Sequence, residues 1–248
     1  MQLTFLGTGS VHAAPVPGCD CSQCRLTPAA ARRKPCSGFV KADGTRLLID
    51  AGGHDLMDRF GALPPEAVLL THFHPDHVQG LLPWRWAKLR ETPAFHPPDA
   101  EGCADLFRNP GFLRFQALVA FTTVEIGAFI VTPLPLAHSK PTFGYGIEHD
   151  GRRLAWLTDT VGLPEPTRTW LAAWKPDTVV VDCSYPPGGT KARNHNTVDQ
   201  AVAIITECGA ERGCLTHLGH EVEAWLAANQ TTLPATITIA TDHLSLPV

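Results

Sequence analysis

The stretch Leu69-Leu70-Thr71-His72-Phe73-His74-Pro75-Asp76-His77 packs three histidines and an aspartate into six positions directly behind an apolar run, Ala67 to Leu70. The run reads as a buried strand. Side chains two apart on an extended chain share a side, so His72 and His74 converge on one point. Asp76 and His77 follow where strand gives way to helix, and face a second point beside the first. Neutral imidazole and carboxylate are ligands that Zn, Mn and Fe(II) all accept. A polar loop that is merely histidine-rich has no reason to deliver four such groups straight off a strand.

Three more candidates stand at the ends of later apolar runs: His138, Asp159 and His217. Taken singly, a strand-end histidine is usually a solvated or core-edge residue. Together they supply what the first cluster lacks. His138 can complete one site beside His72 and His74, and His217 another beside Asp76 and His77. Asp159, with two carboxylate oxygens, can bridge both. Two divalent ions about 3.5–4 Å apart can share a water and lower its pKa from about 16 toward 7, ready for in-line attack on phosphorus or carbonyl carbon. Asp50 and Asp182 also end apolar runs, and can either orient ligand imidazoles or cap turns.

The elements that must position these groups recur along the chain. Leu47-Leu48-Ile49 ends in Asp50, Val68-Leu69-Leu70 near His72, and Ile130 to Leu136 in His138. Leu154 to Leu157 ends near Asp159, Val179-Val180-Val181 in Asp182, and Cys214-Leu215-Thr216 in His217. Strands that deliver polar groups from one end describe an α/β enzyme with its site along a sheet edge. Amphipathic helices are expected over Asp55 to Phe60, Glu101 to Phe107, Pro164 to Trp174, Thr197 to Glu207 and Glu221 to Asn229. Asp150-Gly151 between strand-like flanks signals a hairpin. Strands pair early and alternate with helices later, which predicts a mixed sheet, or two, covered by helices in one domain over residues 1–248.

Composition bounds the function. At 44% hydrophobic and 18% charged residues, the 248-residue chain can bury a sizeable core. A net charge of only -4 argues against the phosphate-backbone footprint of a nucleic-acid binder. The segment Met1 to Phe5 lacks the basic and apolar regions of a signal peptide, and no run approaches the roughly 20 apolar residues of a membrane span. A cytoplasmic protein is expected, with its eight cysteines as thiols or metal ligands rather than disulfides.

Three of those cysteines, Cys19, Cys21 and Cys24, fall within six residues. Three is an odd number for disulfides, and a closed tetrahedral zinc with thiolate ligands is the better account. The fourth ligand stays open between Cys36, His54 and His220. Such a knuckle, over about residues 18–37, would pin the N-terminal loop against the catalytic rim. Cys103, Cys183, Cys208 and Cys214 sit in apolar or helical contexts and read as packing residues.

The His-x-His-x-Asp-His pattern with its distant partners resembles the metallo-β-lactamase superfamily, which implies an αβ/βα four-layer sandwich. His rather than Glu at position 74 argues against the oxygen-reducing diiron branch. Asp159 stands where antibiotic-hydrolysing members carry Cys, and a bridging Asp is typical of the phosphodiesterase and thioesterase branches. The Cys-x-Cys-x-x-Cys motif, with Pro35-Cys36-Ser37-Gly38, His138-Ser139-Lys140, Asp182-Cys183-Ser184 and Arg193-Asn194-His195, resembles more narrowly the PhnP family. That family comprises the phosphoribosyl cyclic phosphate phosphodiesterases of the carbon–phosphorus lyase pathway.

The resemblance implies opening of 5-phosphoribosyl 1,2-cyclic phosphate to ribose 1,5-bisphosphate. It also implies a Mn2+ pair (Zn2+ or Fe2+ as substitutes), structural zinc on Cys19, Cys21, Cys24 and His220, and a homodimer. On it His195 is catalytic, either as the general acid that protonates the leaving oxygen or as the group that steadies the pentavalent transition state, and Asp76 is catalytic as well as a ligand. Independently of the resemblance, Lys140 and Arg193 are cations near the rim that either hold the 5-phosphate or are solvated surface charge. Transfer-RNA 3′-end processing is disfavoured, because the stretch from Asp159 to His195 holds no basic cluster. Glyoxalase-type thioester hydrolysis remains open on the ligands alone. A non-catalytic metal-binding accessory protein would not need all seven active-site ligands.

Overall fold

The computed structural model describes residues 1–61, 63–188, 194–229 and 232–248. The described strands form two seven-stranded sheets. The first contains β1 (Gln2–Gly7), β2 (Ser37–Ala42), β3 (Thr45–Ile49), β4 (Ala67–Leu69), β5 (Thr92–His96) and β6 (Leu113–Ala117). The second contains β7 (Val124–Ile126), β8 (Phe129–Pro135), β9 (Phe143–His149), β10 (Arg152–Leu157), β11 (Thr178–Asp182), β12 (Arg212–Thr216) and β13 (Ile237–Ile239). The last strand, β14 (Ser245–Pro247), returns to the first sheet, whose order is β14-β1-β2-β3-β4-β5-β6. The second runs β13-β12-β11-β10-β9-β8-β7. Each sheet is antiparallel over one half and parallel over the other.

The helices are α1 (Ser22–Leu26), α2 (Leu56–Phe60), α3 (Pro75–Val78), α4 (Leu81–Trp84), α5 (Ala104–Arg108), α6 (Glu165–Trp174), α7 (Val198–Glu207) and α8 (His220–Asn229). Strand alternation assigns the layers. In β3, Leu47 and Ile49 join an apolar core shared by both sheets, while Leu48 packs with Leu56, Phe60 and Trp84 under the helices. In β10 and β11, Leu154, Trp156 and Val180 face the shared core. Ala155, Leu157, Val179 and Val181 instead pack against Leu171, Ala201, Ile204 and Leu226 of α6, α7 and α8. Three cores therefore separate four layers: helices, sheet, sheet, helices.

This is the expected sandwich of two mixed sheets, and all five expected helices are present within a few residues of their expected bounds. The hairpin forms at Asp150-Gly151, both with positive φ (50° and 73°), and pairs His149 with Arg152. Close approach between the sheets requires Gly38, where a Cβ would lie 2.6 Å from the Trp156 ring. Among the described residues no helix is long and apolar enough to cross a membrane.

Candidate metal centre

Six strands of the two sheets end at one rim, and the residues there come from the first sheet (after β3 and β4) and the second (β8, β10, β11 and β12). After β4 the chain stays extended through His74 (φ -69°, ψ 147°), then Pro75 opens α3 and carries Asp76 and His77. His138 follows β8, Asp159 follows β10, and His217 is the first residue past β12. Two non-glycine residues at strand ends, Asp50 and His217, adopt φ of 56°. That left-handed conformation costs about 1–2 kcal/mol each, which the surrounding packing must sustain. The turn after Asp50 lies so close to α3 that a Cβ on Gly52 would meet the Asp76 carbonyl at 1.6 Å.

The structure brings all seven expected active-site ligands together. His72 Nε2 lies 2.8 Å from His74 Nδ1, which lies 3.0 Å from His138 Nε2. Asp159 Oδ2 is 3.7 Å from His72 Nε2 and 3.9 Å from His138 Nε2. The same oxygen is 3.2 Å from His77 Nε2 and 3.4 Å from His217 Nε2. Asp76 Oδ2 lies 3.6 Å and 3.7 Å from those two nitrogens. Two donor sets thus share one carboxylate oxygen.

The imidazoles are aimed from behind. Thr71 Oγ1 donates to Asp50 Oδ2 at 2.8 Å, so at 3.0 Å from His72 Nδ1 it accepts that ring's N–H and leaves Nε2 as a lone pair. His77 Nδ1 donates to Asp50 at 2.8 Å and His138 Nδ1 to the Asn194 carbonyl at 3.0 Å. Ser184 Oγ donates to the His217 carbonyl at 2.8 Å and accepts from His217 Nδ1 at 3.1 Å. Asp182 Oδ2 accepts from His195 Nδ1 at 3.2 Å, while its oxygens also take the Thr160 and Asn196 backbone N–H groups. His195 stacks on His217 with centroids 4.8 Å apart, and one of its nitrogens falls into a donor group with His138 and Asp159.

The donor set fits divalent cations. Burial, and the neighbouring imidazoles, push His72 and His74 below the ordinary histidine range, so both rings offer lone pairs near neutral pH. Burial alone would raise Asp159, yet His217, His77 and His72 overcome it and hold the carboxyl well below its usual value. His77 Nε2, His217 Nε2 and Asp159 Oδ1 are buried without a hydrogen-bond partner. Orphaned buried polar atoms cost about 1–3 kcal/mol each, and three of them on residues of one donor cluster suit a bound cation.

The second cluster also assembles. His220 Nδ1, on the first residue of α8, lies 3.3 Å from Cys21 Sγ and Cys24 Sγ and 3.7 Å from Cys19 Sγ. Ligands about a tetrahedral zinc with bonds of roughly 2.0–2.3 Å stand about 3.3–3.8 Å apart, so the spacing suits zinc. Of the other fourth-ligand candidates, Cys36 is buried against Thr216 Oγ1 and His54 is exposed. The Cys24 N–H points at Cys21 Sγ, and this with His220 lowers the Cys21 thiol to about 6.

Lys140 Nζ sits 3.6 Å from the Asp99 carboxylate, and Arg193 lies outside the described residues. Thr71 and Ser184 are positioning residues whose orienting role no spacing announced. Period-2 placement of Ser184 behind Asp182 is the nearest signal for the second.

Residues 45–218, well over half of the chain, match the family described as "Beta-lactamase superfamily domain". A crystal structure of a diphosphatase from the PhnP family superposes with a TM-score of 0.82 at 26% identity, covering 99% of this chain and 96% of that one. Ribonuclease Z of Mycolicibacterium gilvum is 27% identical over 264 residues, 88% of this chain and 84% of its own. An octanoyltransferase of Porphyromonas gingivalis is 27% identical over 241 residues, 89% of this chain but 46% of its own, so the chain spans about half of that relative. With the sandwich and the His/Asp centre already in place, the match settles the family: this chain belongs to the beta-lactamase superfamily.

Proposed function

We propose that the protein is a dinuclear phosphodiesterase that opens 5-phosphoribosyl 1,2-cyclic phosphate to ribose 1,5-bisphosphate in phosphonate catabolism. One observation carries the reading: Asp159 Oδ2 lies within 3.9 Å of ring nitrogens from His72, His77, His138 and His217. An oxygen common to two donor sets suits a pair of cations better than one. His72, His74 and His138 would hold the first, Asp76, His77 and His217 the second, and Asp159 both. Mn2+ is the expected occupant, with Zn2+ or Fe2+ able to use the same donors. When bound, such a pair supplies a water of lowered pKa and neutralises charge on the phosphoryl oxygens.

The remaining steps fall to the protein. Burial would lower His195, but its hydrogen bond to Asp182 and the nearby Asp159 carboxylate raise it above the ordinary histidine range. A protonated imidazole beside the centre supports its role as the acid that protonates the leaving oxygen. Asp182 fixes the ring through Nδ1, so the opposite nitrogen carries the transferable proton. Cys19, Cys21, Cys24 and His220 hold a structural zinc, and the working form is a homodimer.

The ribonuclease Z relative carries a second reading, cleavage of RNA phosphodiesters. A net charge of -4 weighs against it. The test is phosphorus NMR of the metal-loaded protein with ribose 1,2-cyclic phosphate 5-phosphate, 2′,3′-cyclic nucleotides, a diphosphate ester, a transfer-RNA precursor and, by thiol release, a thioester. Preferred opening of the ribosyl cyclic phosphate is expected. Faster turnover of any other substrate overturns the assignment.

A further inference from the structure

Two cavities flank the loop Ser10 to Ala14 at the mouth of the centre, and both are lined by Ser10 and Val11. One, of about 230 Å3, lies on the His195 side and includes His12, Tyr185, His220 and Glu221. The other, of about 420 Å3, opens beside Asp76 and includes Gln79, Arg32 and Arg33. Their charges differ. Among the described residues, Glu221 is the only Asp, Glu, Lys or Arg lining the first, whereas two guanidiniums and Asp76 line the second.

The two arginines are not equivalent. Arg33 is committed, donating to Glu223 Oε1 at 2.6 Å, Thr8 Oγ1 at 2.6 Å and the Ala240 carbonyl at 2.7 Å. Arg32 is exposed, and among the described residues its side chain makes no hydrogen bond or ion pair. Asp76 is a candidate metal ligand whose charge a cation would offset. The cavity beside it would then present net positive charge and an uncommitted planar donor fork, the geometry that grips a phosphate through two parallel hydrogen bonds. Lys140, the described one of the two cations expected to touch phosphate, already faces Asp99 at 3.6 Å.

We infer that Arg32 is the specificity-determining residue for a second anionic group, and that substrate lies across the centre with its terminal phosphate in the Arg32 cavity and its leaving oxygen toward His195. This deepens the phosphodiesterase reading and rests on it for the direction of the substrate. The direction follows from that reading, which sets the leaving oxygen at His195 in the other cavity.

The test compares Arg32→Ala with the parent protein on ribose 1,2-cyclic phosphate with and without the 5-phosphate. KM for the phosphorylated substrate should rise about 10- to 100-fold, as for a lost hydrogen bond to a charged group, with kcat and the unphosphorylated substrate nearly unmoved. Arg32→Lys should fall between, keeping charge without the fork. Equal losses on both substrates, or no change on either, overturn the inference. Calorimetric binding of ribose 1,5-bisphosphate against ribose 1-phosphate reads the same contact without turnover. If no phosphodiester is cleaved but Arg32→Ala still erases the preference for the bisphosphate, the phosphodiesterase reading fails and the Arg32 site stands. If cleavage occurs and the preference survives Arg32→Ala, the Arg32 site fails alone.

Discussion

The chain's two donor clusters are built on opposite plans. At the strand ends, His72, His77, His138, His217 and Asp159 have side chains no more than 2% exposed, and most are held by a hydrogen bond from behind. The cysteine cluster sits on a loop and the five-residue α1, with Cys21 exposed and its donors contacting chiefly one another. The first is preorganised by the fold, so a metal there adds chemistry. In the second, a bound metal would supply the architecture. Removing a group should therefore affect function at one cluster and stability at the other.

The largest effect is expected from Asp159→Ala, which deletes the oxygen common to both donor sets. Metal content measured by plasma emission should fall below two ions per chain and turnover to background, while the strand framework persists by circular dichroism. Full occupancy with full activity would show that the shared oxygen is dispensable.

His195→Ala should come next, lowering kcat about 10^2- to 10^4-fold, the usual contribution of a positioned general acid. Metal content should not change, since six other side chains and Asp159 supply the donors. The sign of the pH dependence follows from the raised pKa of His195. The charged form exists below that value, so kcat should decline as pH rises through it. In His195→Ala this alkaline limb should flatten. An unaltered limb would assign it to another group.

What could be read in the chain beforehand divides along similar lines. Val179 to Val181 is buried on both faces, so a continuous apolar run reported its strand, and the polar residue ending it pointed to the rim. By contrast β5 contains Pro93, which demotes a strand reading, and β6 alternates apolar and polar residues over only the five positions Leu113 to Ala117, too short a run to stand out. Helices α3 and α4 have four residues each, too few to show a helical repeat. Ligand types were legible because His, Asp and Cys carry their chemistry with them. Partner choice was not: spacing left Cys36, His54 and His220 equal, and only the β12–α8 turn brings the last to the thiols. The orienting hydroxyls of Thr71 and Ser184 depend on side-chain directions, which a linear string does not hold.

A smaller effect separates the ligands from the groups behind them. Asp50 is fully buried and takes hydrogen bonds from Thr71 N, Thr71 Oγ1 and His77 Nδ1. Asp50→Asn keeps the shape but weakens the orientation of His77. Metal affinity at the site containing His77 should drop about 10- to 100-fold, as for other residues that orient ligands, with activity restored by excess metal. A loss that no metal concentration rescues would point to a collapsed strand end instead.

Cys21→Ser should disturb turnover least. Its thiol is lowered to about 6, because the Cys24 N–H and His220 favour the thiolate. Serine cannot supply that sulfur, so one zinc should be lost while the pair at the strand ends stays. His220 is three residues from His217, but Leu218 is tied independently: its N–H reaches the Thr8 carbonyl at 2.9 Å and its carbonyl accepts from Ser10 N at 3.1 Å. These bonds should shield the centre from the missing zinc, confining the loss to a lower melting temperature, about 2–4 °C for each kcal/mol in a chain of this size. Calorimetry beside a metal count decides the point. If turnover falls as steeply as the melting temperature, the two clusters form one cooperative unit and the division between chemistry and architecture disappears.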